Sequence, residues 1–425
     1  MKILWVVNIL LPEIASGLNV PSSNREGWLS GIFERMDNSS SEYELSVAYP
    51  TMDASFPEVI SIRGINCYSF YEDLSRPEIY DEAMEERLGK IIKKVSPDIL
   101  HIFGTEFPHA LGAAISFNRP EKTLVGIQGI CQKIAEDYMS LIPKKIENKV
   151  TFRDLIKKDS LRDQKNKFIK RAANEKRLLE NTLNITGRTA FDKEYSLSVN
   201  PKAGYFKMNE TMRKPFYEGS WDIDKARKHS IFIGQADYPL KGMHFLLQAV
   251  GSLLDTWPDI KITVAGNSII KDKTLKDKLK TPAYGAYLKK LIKENHLQDH
   301  IEVLGNLSAD EMKEAYLKSS VYISASYIEN SPNTVCEAML LGVPVIASAA
   351  GGTCDLISEE EGYIFEKGDI DELALKIREV FKAQDDKDPS LTNKCARARK
   401  RAHMDYDRES NYNRLMEIYG EIKAD

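Results

Sequence analysis

The sequence is poor in cysteine. Its 425 residues hold five, Cys67, Cys131, Cys336, Cys354 and Cys395, an odd number, scattered and without a C-x-x-C pair. That spacing argues against a disulfide framework or a zinc site and fits a reducing compartment. Long apolar runs are absent too: none approaches the roughly 20 residues that a membrane span needs. The opening MKILWVVNILLPEIASG begins like a leader, but Pro12 and Glu13 interrupt it, and it reads as a buried first strand. There is no excess of positive charge. A net charge of −4 gives no ground for general nucleic-acid binding. The chain is longer than one hydrophobic core usually serves, so two domains are expected.

Short apolar runs recur: KILWVV (2–7), ELSVAY (44–49), DILHIF (98–103), TLVGI (123–127), SIFIG (230–234), KITVAG (261–266), IEVLG (301–305), VYISAS (321–326) and VPVIAS (343–348). Runs of this length, rich in Val and Ile and closed by Gly or small polar residues, read as buried parallel strands. Helical patterns lie between them, as in 242–257 and 309–320. This alternation predicts an α/β fold with parallel sheets. It pauses at 200–220, which holds two Pro, two Gly and no periodicity, and reads as a linker. The expected division is 1–213 and 214–401, each doubly wound, with a C-terminal helix, 402–425, packing back on the first. Ligands of such folds bind at the carboxyl ends of strands, so a cleft between facing domains is the expected site.

Charge is uneven. Residues 143–177 carry 13 Lys or Arg and 5 acids, net +8, which leaves −12 for the rest. Phe152, Leu155 and Ile156, then Phe168, Ile169 and Ala172, fall at helical spacing. Two readings stand: a solvated helical pair, or a surface that meets anionic lipid or an anionic acceptor.

The stretch SYIENSPNTVCEAMLLGVPVIASAAGG (326–352) carries the chemistry. A strand ends in the turn YIENSPN, and a helix starts near Thr334, with Asn333 or Ser331 as expected N-cap and Gly342 as its end. Glu329 then lies in the loop, and Glu337 in the first helical turn. Free N–H groups at such a helix start suit a phosphate, and the two carboxylates suit hydroxyls of ribose and sugar. The bland alternative is that Glu337 caps its own helix and Glu329 is a solvated loop acid. In IFIGQADYPLKGMHFLLQA (231–249) a strand, a glycine turn and Lys241-Gly242 open a helix; the lysine could reach a diphosphate or be a solvated side chain. The loop Gly305 to Leu307 could hold a flat base by its backbone.

Glu329 and Glu337, with seven residues between them, followed by EAMLLGVPVIAS and Gly351-Gly352, resemble family 4 of the retaining glycosyltransferases. The similarity extends to PDILHIFGTEFPH (97–109), VGIQG (125–129), ITGRTAFDKEY (185–195), NETMRKPFY (209–217) and 401–420. The resemblance implies the GT-B fold, two doubly wound Rossmann-like domains facing across a cleft, and a bacterial enzyme of hexosyltransferase type in surface-polysaccharide synthesis. The implied partners are a nucleotide-sugar donor such as a UDP-sugar and a glycan or lipid-linked acceptor. No cofactor is implied. From the cysteines the expected location is cytoplasmic, and on the anionic-lipid reading of 143–177 contact at the inner membrane face is expected.

The resemblance also implies roles. Glu337 would hold the ribose hydroxyls and Glu329 the transferred sugar. Backbone N–H groups of Asn330, Ser331, Asn333 and Thr334, shaped by Pro332, would meet sugar and diphosphate. Lys241 would hold the diphosphate, and Gly27 would let the N-terminal loop approach it. Gly234, Gly266, Asn306 and Leu307 complete the donor set. Two positions depart from the family pattern: Gln235 stands where an Arg is common, and Gln128 where a His is common. Arg213 or Arg188 is the expected substitute for the missing charge. His101 and His109 read as structural partners. Asp222 and Asp224 have no supporting ligands, so no metal is expected. The rival readings are a nucleotide-sugar epimerase of the same fold and a nucleotide-sugar-binding protein without catalysis.

Overall fold

A computed structural model describes residues 1–21, 27–36, 42–270, 274, 277 and 279–424. The chain divides into two compact units. The first is Met1–Ala135, Lys167–Met212 and Tyr406–Asp425; the second is Glu136–Asn166 and Arg213–Asp405. The second unit resumes at Arg213, and the segment 136–166, placed by the sequence with the N-terminal domain, groups with it.

The first unit is built on β1 (Lys2–Val6), β2 (Glu44–Thr51), β3 (Val59–Ile62), β4 (Ile65–Tyr71), β5 (Ile99–Phe103), β6 (Thr123–Gly126), β7 (Asn184–Gly187) and β8 (Gly204–Lys207). Their order across the sheet is β3-β4-β2-β1-β5-β6-β7-β8, parallel except for the edge hairpin β3–β4. Side chains alternate between two buried faces: Leu4 and Val6 join one apolar cluster, Ile3, Trp5 and Val7 the other. Burial on both faces is why these strands read as unbroken apolar runs. Leu415, Ile418, Tyr419 and Ile422, from the last helix, Arg408–Ala424, belong to the second cluster. Residues 402–405, expected to begin that helix, instead end the preceding one, Pro389–Asp405, in the second unit.

The second unit carries β9 (Arg227–Ile233), β10 (Lys261–Ala265), β11 (Ile301–Gly305), β12 (Ser319–Ser324), β13 (Val345–Ser348) and β14 (Tyr363–Phe365). The order is β11-β10-β9-β12-β13-β14, parallel throughout. Both sheets are therefore doubly wound α/β sheets.

Several sequence expectations shift. The stretch 200–220 is only partly a linker, because Gly204–Lys207 is the edge strand β8, paired with β7. Its half-exposed side chains gave no apolar run. The hairpin β3–β4 went unread because β3 is exposed on alternate residues. The basic segment is three helices, Lys144–Glu147, Phe152–Lys157 and Leu161–Glu180, and not a pair.

Candidate functional site

In the second unit the polar residues collect at the carboxyl ends of β9 and β12. β9 ends before Gly234. A single turn, Pro239–Lys241, then leads through Gly242 into the helix Met243–Gly251. Gly242 sits at φ 69°, and a Cβ there would lie 1.8 Å from the Ala325 carbonyl oxygen, so the loop can pass β12 only with glycine. That close approach brings Lys241 to Glu329. The Lys241 ammonium donates to Glu329 Oε1, and Ser326 Oγ donates to the same oxygen at 2.7 Å. Burial pulls the Lys241 pKa down, but the Glu329 carboxylate, with Tyr238 beside it, outweighs that, and the net shift is upward. Lys241 is thus a fixed cation at any working pH.

The loop after Glu329 leads into the helix Asn333–Leu341. Its N-cap is Pro332, with no side-chain cap. Neither Asn333 nor Ser331 has the expected capping role: Asn333 is already helical, and Pro332 occupies the cap. The helix ends at Gly342, φ 72°, as expected. Thr334 Oγ1 accepts from the Tyr322 hydroxyl at 2.6 Å, and its methyl carbon lies against Gly234, where a Cβ would be 3.3 Å away. β9 and this helix start are therefore held together.

Glu337 is the fifth residue of that helix and not in its first turn, so the dipole argument does not apply to it. It is buried. Oε1 accepts from Arg213 Nη2 at 2.9 Å, and Oε2 lies 3.2 Å from the Tyr316 hydroxyl. Burial raises its pKa; Arg213 and Tyr316 oppose the rise without cancelling it. It does not cap its own helix, so that bland reading fails. The sequence pattern did not show that Tyr316 supports it.

Gly266 and Gly305, at φ 90° and 82°, are joined by a bridge at 2.7 Å and place Asn306 and Leu307 after β11. Gln235 donates to Asp237 Oδ1 at 2.9 Å, so its side chain is turned to its own loop. Of the two expected charge substitutes, Arg213 stands at Glu337 in this unit. Arg188 belongs to the first unit, where it pairs with Glu210 at 3.3 Å. Asp222 and Asp224 are each paired with a lysine, Lys225 and Lys387. Among the described residues no three His, Cys, Asp or Glu side chains group as metal ligands.

Gln128 and Gly27 lie in the first unit. Gly27 opens the helix Gly27–Phe33; the loop before it, 22–26, lies outside the described residues. Gln128 Nε2 donates to Glu210 Oε1 at 2.8 Å. Gln128 also lines, with His101, Thr186 and Glu210 among others, a partly open pocket of about 30 Å³, room for one water. His101 Nδ1 meets the Tyr419 hydroxyl at 2.6 Å, and burial pulls its pKa down to about 3. His109 Nδ1 is 2.6 Å from buried Glu72. Both histidines are structural partners, as expected.

Sequence reasoning missed two buried acids here. Glu175 accepts from Thr105 Oγ1 at 2.7 Å, the Cys131 amide at 3.0 Å and the Tyr195 hydroxyl at 2.9 Å. Glu106 accepts from the Gly129 amide at 2.7 Å. Burial raises the pKa of each. They fix the backbone just after Gln128, at Gly129 and Cys131. Glu106 stands inside a quoted motif; nothing local marks Glu175, which sits in the basic segment.

Residues 214–403, which lie in the second unit, match the family described as glycosyl transferases group 1. The matched stretch is 190 of the chain's 425 residues, and the two doubly wound sheets agree with a GT-B fold. The chain is 28% identical over 144 residues to the sulfoquinovosyl transferase SQD2 of Arabidopsis thaliana, 33% of this chain and 25% of that one. The first curated relatives are matched over only 25% to 35% of their own lengths. Among solved structures, sucrose-phosphate synthase of Thermosynechococcus elongatus superposes with TM-score 0.66 at 16% identity, covering all of both chains. Anabaena HepE in complex with UDP-glucose superposes with TM-score 0.66 at 15% identity, over 99% of this chain and 100% of that one. At such identities the likeness is one of fold.

Proposed function

We propose that the protein is a retaining glycosyltransferase that moves a sugar from a nucleoside-diphosphate sugar, a UDP-sugar first among candidates, to a glycan or lipid-linked acceptor. The observation that carries this is the charge arrangement of the second unit: a fixed cation, Lys241, beside a helix start with no side-chain cap, with one carboxylate held on each side. The diphosphate sits at the N-terminus of Asn333–Leu341, where N–H groups and the dipole favour an anion. Lys241 neutralises the charge that grows on it as the sugar–phosphate bond breaks.

A carboxylate offers about four lone-pair positions. Arg213 and Tyr316 take one on each oxygen of Glu337, which leaves two for the adjacent ribose hydroxyls. The contacts to Glu329 fall on Oε1 alone, so Oε2 is directed to a sugar hydroxyl. Neither glutamate is free to act as a nucleophile; the leaving phosphate takes the acceptor proton on the same face, and configuration is retained. The cation and the helix start supply the positive charge, so the reaction needs neither metal nor further cofactor. Gln128, held by Glu210, offers a hydrogen bond where the family commonly has a titratable group. The cysteines, none of them in a disulfide, fit a reducing, cytoplasmic setting, and surface-polysaccharide synthesis is the pathway class the motifs favour.

The test is a panel of nucleotide sugars, without acceptor, read by thermal shift and nucleoside diphosphate release. One donor should raise the melting temperature and be hydrolysed slowly. Conversion of the sugar with no diphosphate released would establish an epimerase instead. Folded protein that shifts with none of them would reject the donor site.

A further inference from the structure

The helix Phe152–Lys157 is fixed to the second unit by one side only. Thr151 and Asp154 form a reciprocal cap at its start. Asp154, buried, also accepts from the Ala283 amide at 2.9 Å, and Arg153 pairs with Asp159 at 2.8 Å. The other side is bare. Phe152, Leu155 and Ile156 are 60%, 69% and 62% exposed. Spaced three and four apart, they share one helix face. Val150, just before, is 57% exposed, and Leu141 likewise 57%. Five of the fifteen exposed large hydrophobic residues among those described thus fall between 141 and 156.

The charge around them has one sign. Lys144, Lys145, Lys149, Lys157 and Lys158 are all exposed. The acids of this stretch are withdrawn: the Glu147 and Asp154 side chains are 11% and 1% exposed. A clustered apolar face is costly in water. Lys144 pairs with Glu147 at 3.2 Å, but a solvated helical pair would also pack Phe152, Leu155 and Ile156, and this helix leaves them exposed.

We propose that this face is a docking surface for an anionic lipid membrane. Phe152, Leu155 and Ile156 enter the boundary between headgroups and acyl chains, and the lysines meet the anionic headgroups. The charge pattern selects this occupant: an apolar protein groove would need no ring of exposed lysines, and an anionic polymer would need no apolar face. The inference rests on surface chemistry and not on the transferase reading.

The experiment is co-sedimentation of the full chain with phosphatidylcholine vesicles, with and without phosphatidylglycerol. Binding should require phosphatidylglycerol and weaken with salt. The Phe152→Ser/Leu155→Ser/Ile156→Ser variant should bind roughly tenfold more weakly or worse. Reversal of Lys157 and Lys158 to Glu should cost at least about fivefold per lysine. If the serine variant melts below the wild type, the lysine reversal, which disturbs no packing, decides alone. Absence of binding at low salt overturns the proposal. So does wild-type binding by both variants, or a concentration-dependent dimer that the serine variant abolishes. Nucleotide-sugar thermal shift on the same preparation separates failure here from failure of the donor site.

Discussion

The acids beside the candidate site residues are held differently in the two units, although the first also has a buried ion pair, Arg188–Glu210. In the second, acids face cations: Glu329 with Lys241, Glu337 with Arg213. In the first, Glu106 and Glu175 take backbone amides and hydroxyls, and His101 stays neutral. Paired charges can be rearranged around an incoming diphosphate. Acids satisfied by amides hold a backbone still. The first arrangement suits binding and the second suits shape.

The sharpest way to break this contrast is Lys241→Ala. Turnover should fall roughly 100-fold to 1,000-fold with a smaller change in donor KM, since the charge it meets grows in the transition state; an unchanged kcat would remove Lys241 from the mechanism. Next is Gly242→Ala, which drives a Cβ into the Ala325 carbonyl. It should lose on the order of 3 kcal/mol of stability, read by chemical denaturation, and displace Lys241. A variant of wild-type stability and activity would show that the approach is not required.

Glu175→Ala tests the first unit. It strands donors from Thr105, Cys131 and Tyr195 and should cost about 2–4 kcal/mol, with donor thermal shift intact. Loss of donor binding at preserved stability would mean that Glu175 belongs to the binding chemistry. Glu337→Ala should weaken donor binding about tenfold, as lost hydrogen bonds to a charged group would, and should also destabilise, because Arg213 is left without its carboxylate. An unchanged donor KM contradicts the ribose assignment.

The most gradual effect is one of pH, spread over several pH units. His101 and His244 are buried, and burial pulls each pKa down to about 3. Below the ordinary value of 6.5 the unfolded chain takes up protons that the folded chain refuses. Stability is therefore complete above that value and falls as pH drops toward 3, by up to about 1.4 kcal/mol per pH unit for each histidine. His244→Gln should flatten the stability–pH profile between those limits; an equal slope in the variant would place the acid sensitivity elsewhere.

The same contrast explains what could be read in advance. Glu329, Asn330, Ser331, Pro332, Asn333, Thr334 and Glu337 fall within nine residues, so one strand–turn–helix pattern displayed most of the donor half. Arg213 entered only as a guess, and Tyr316 not at all, because both reach Glu337 from distant elements. In the first unit the acids around Gln128 come from positions 106, 175 and 210, brought near only by sheet order. Nine of the fourteen strands among the described residues were legible as apolar runs. β3 and β8 were not, because these edge strands are partly exposed; β4, β7 and β14 were not, because polar residues interrupt the first two and the third has three residues. The unit boundary at 136–166 depends on where three short helices pack, which periodicity alone does not encode.

Tyr419 is hydrogen-bonded to Trp5 Nε1 at 2.7 Å and to His101 at 2.6 Å. During synthesis, Trp5 leaves the ribosome 414 residues ahead of Tyr419. Domains generally complete in the order they are made, but here β1 waits for the helix Arg408–Ala424. The first unit therefore stays open on one face until the whole second unit has been translated, and a nascent chain halted anywhere before residue 406 is left with Trp5 uncovered.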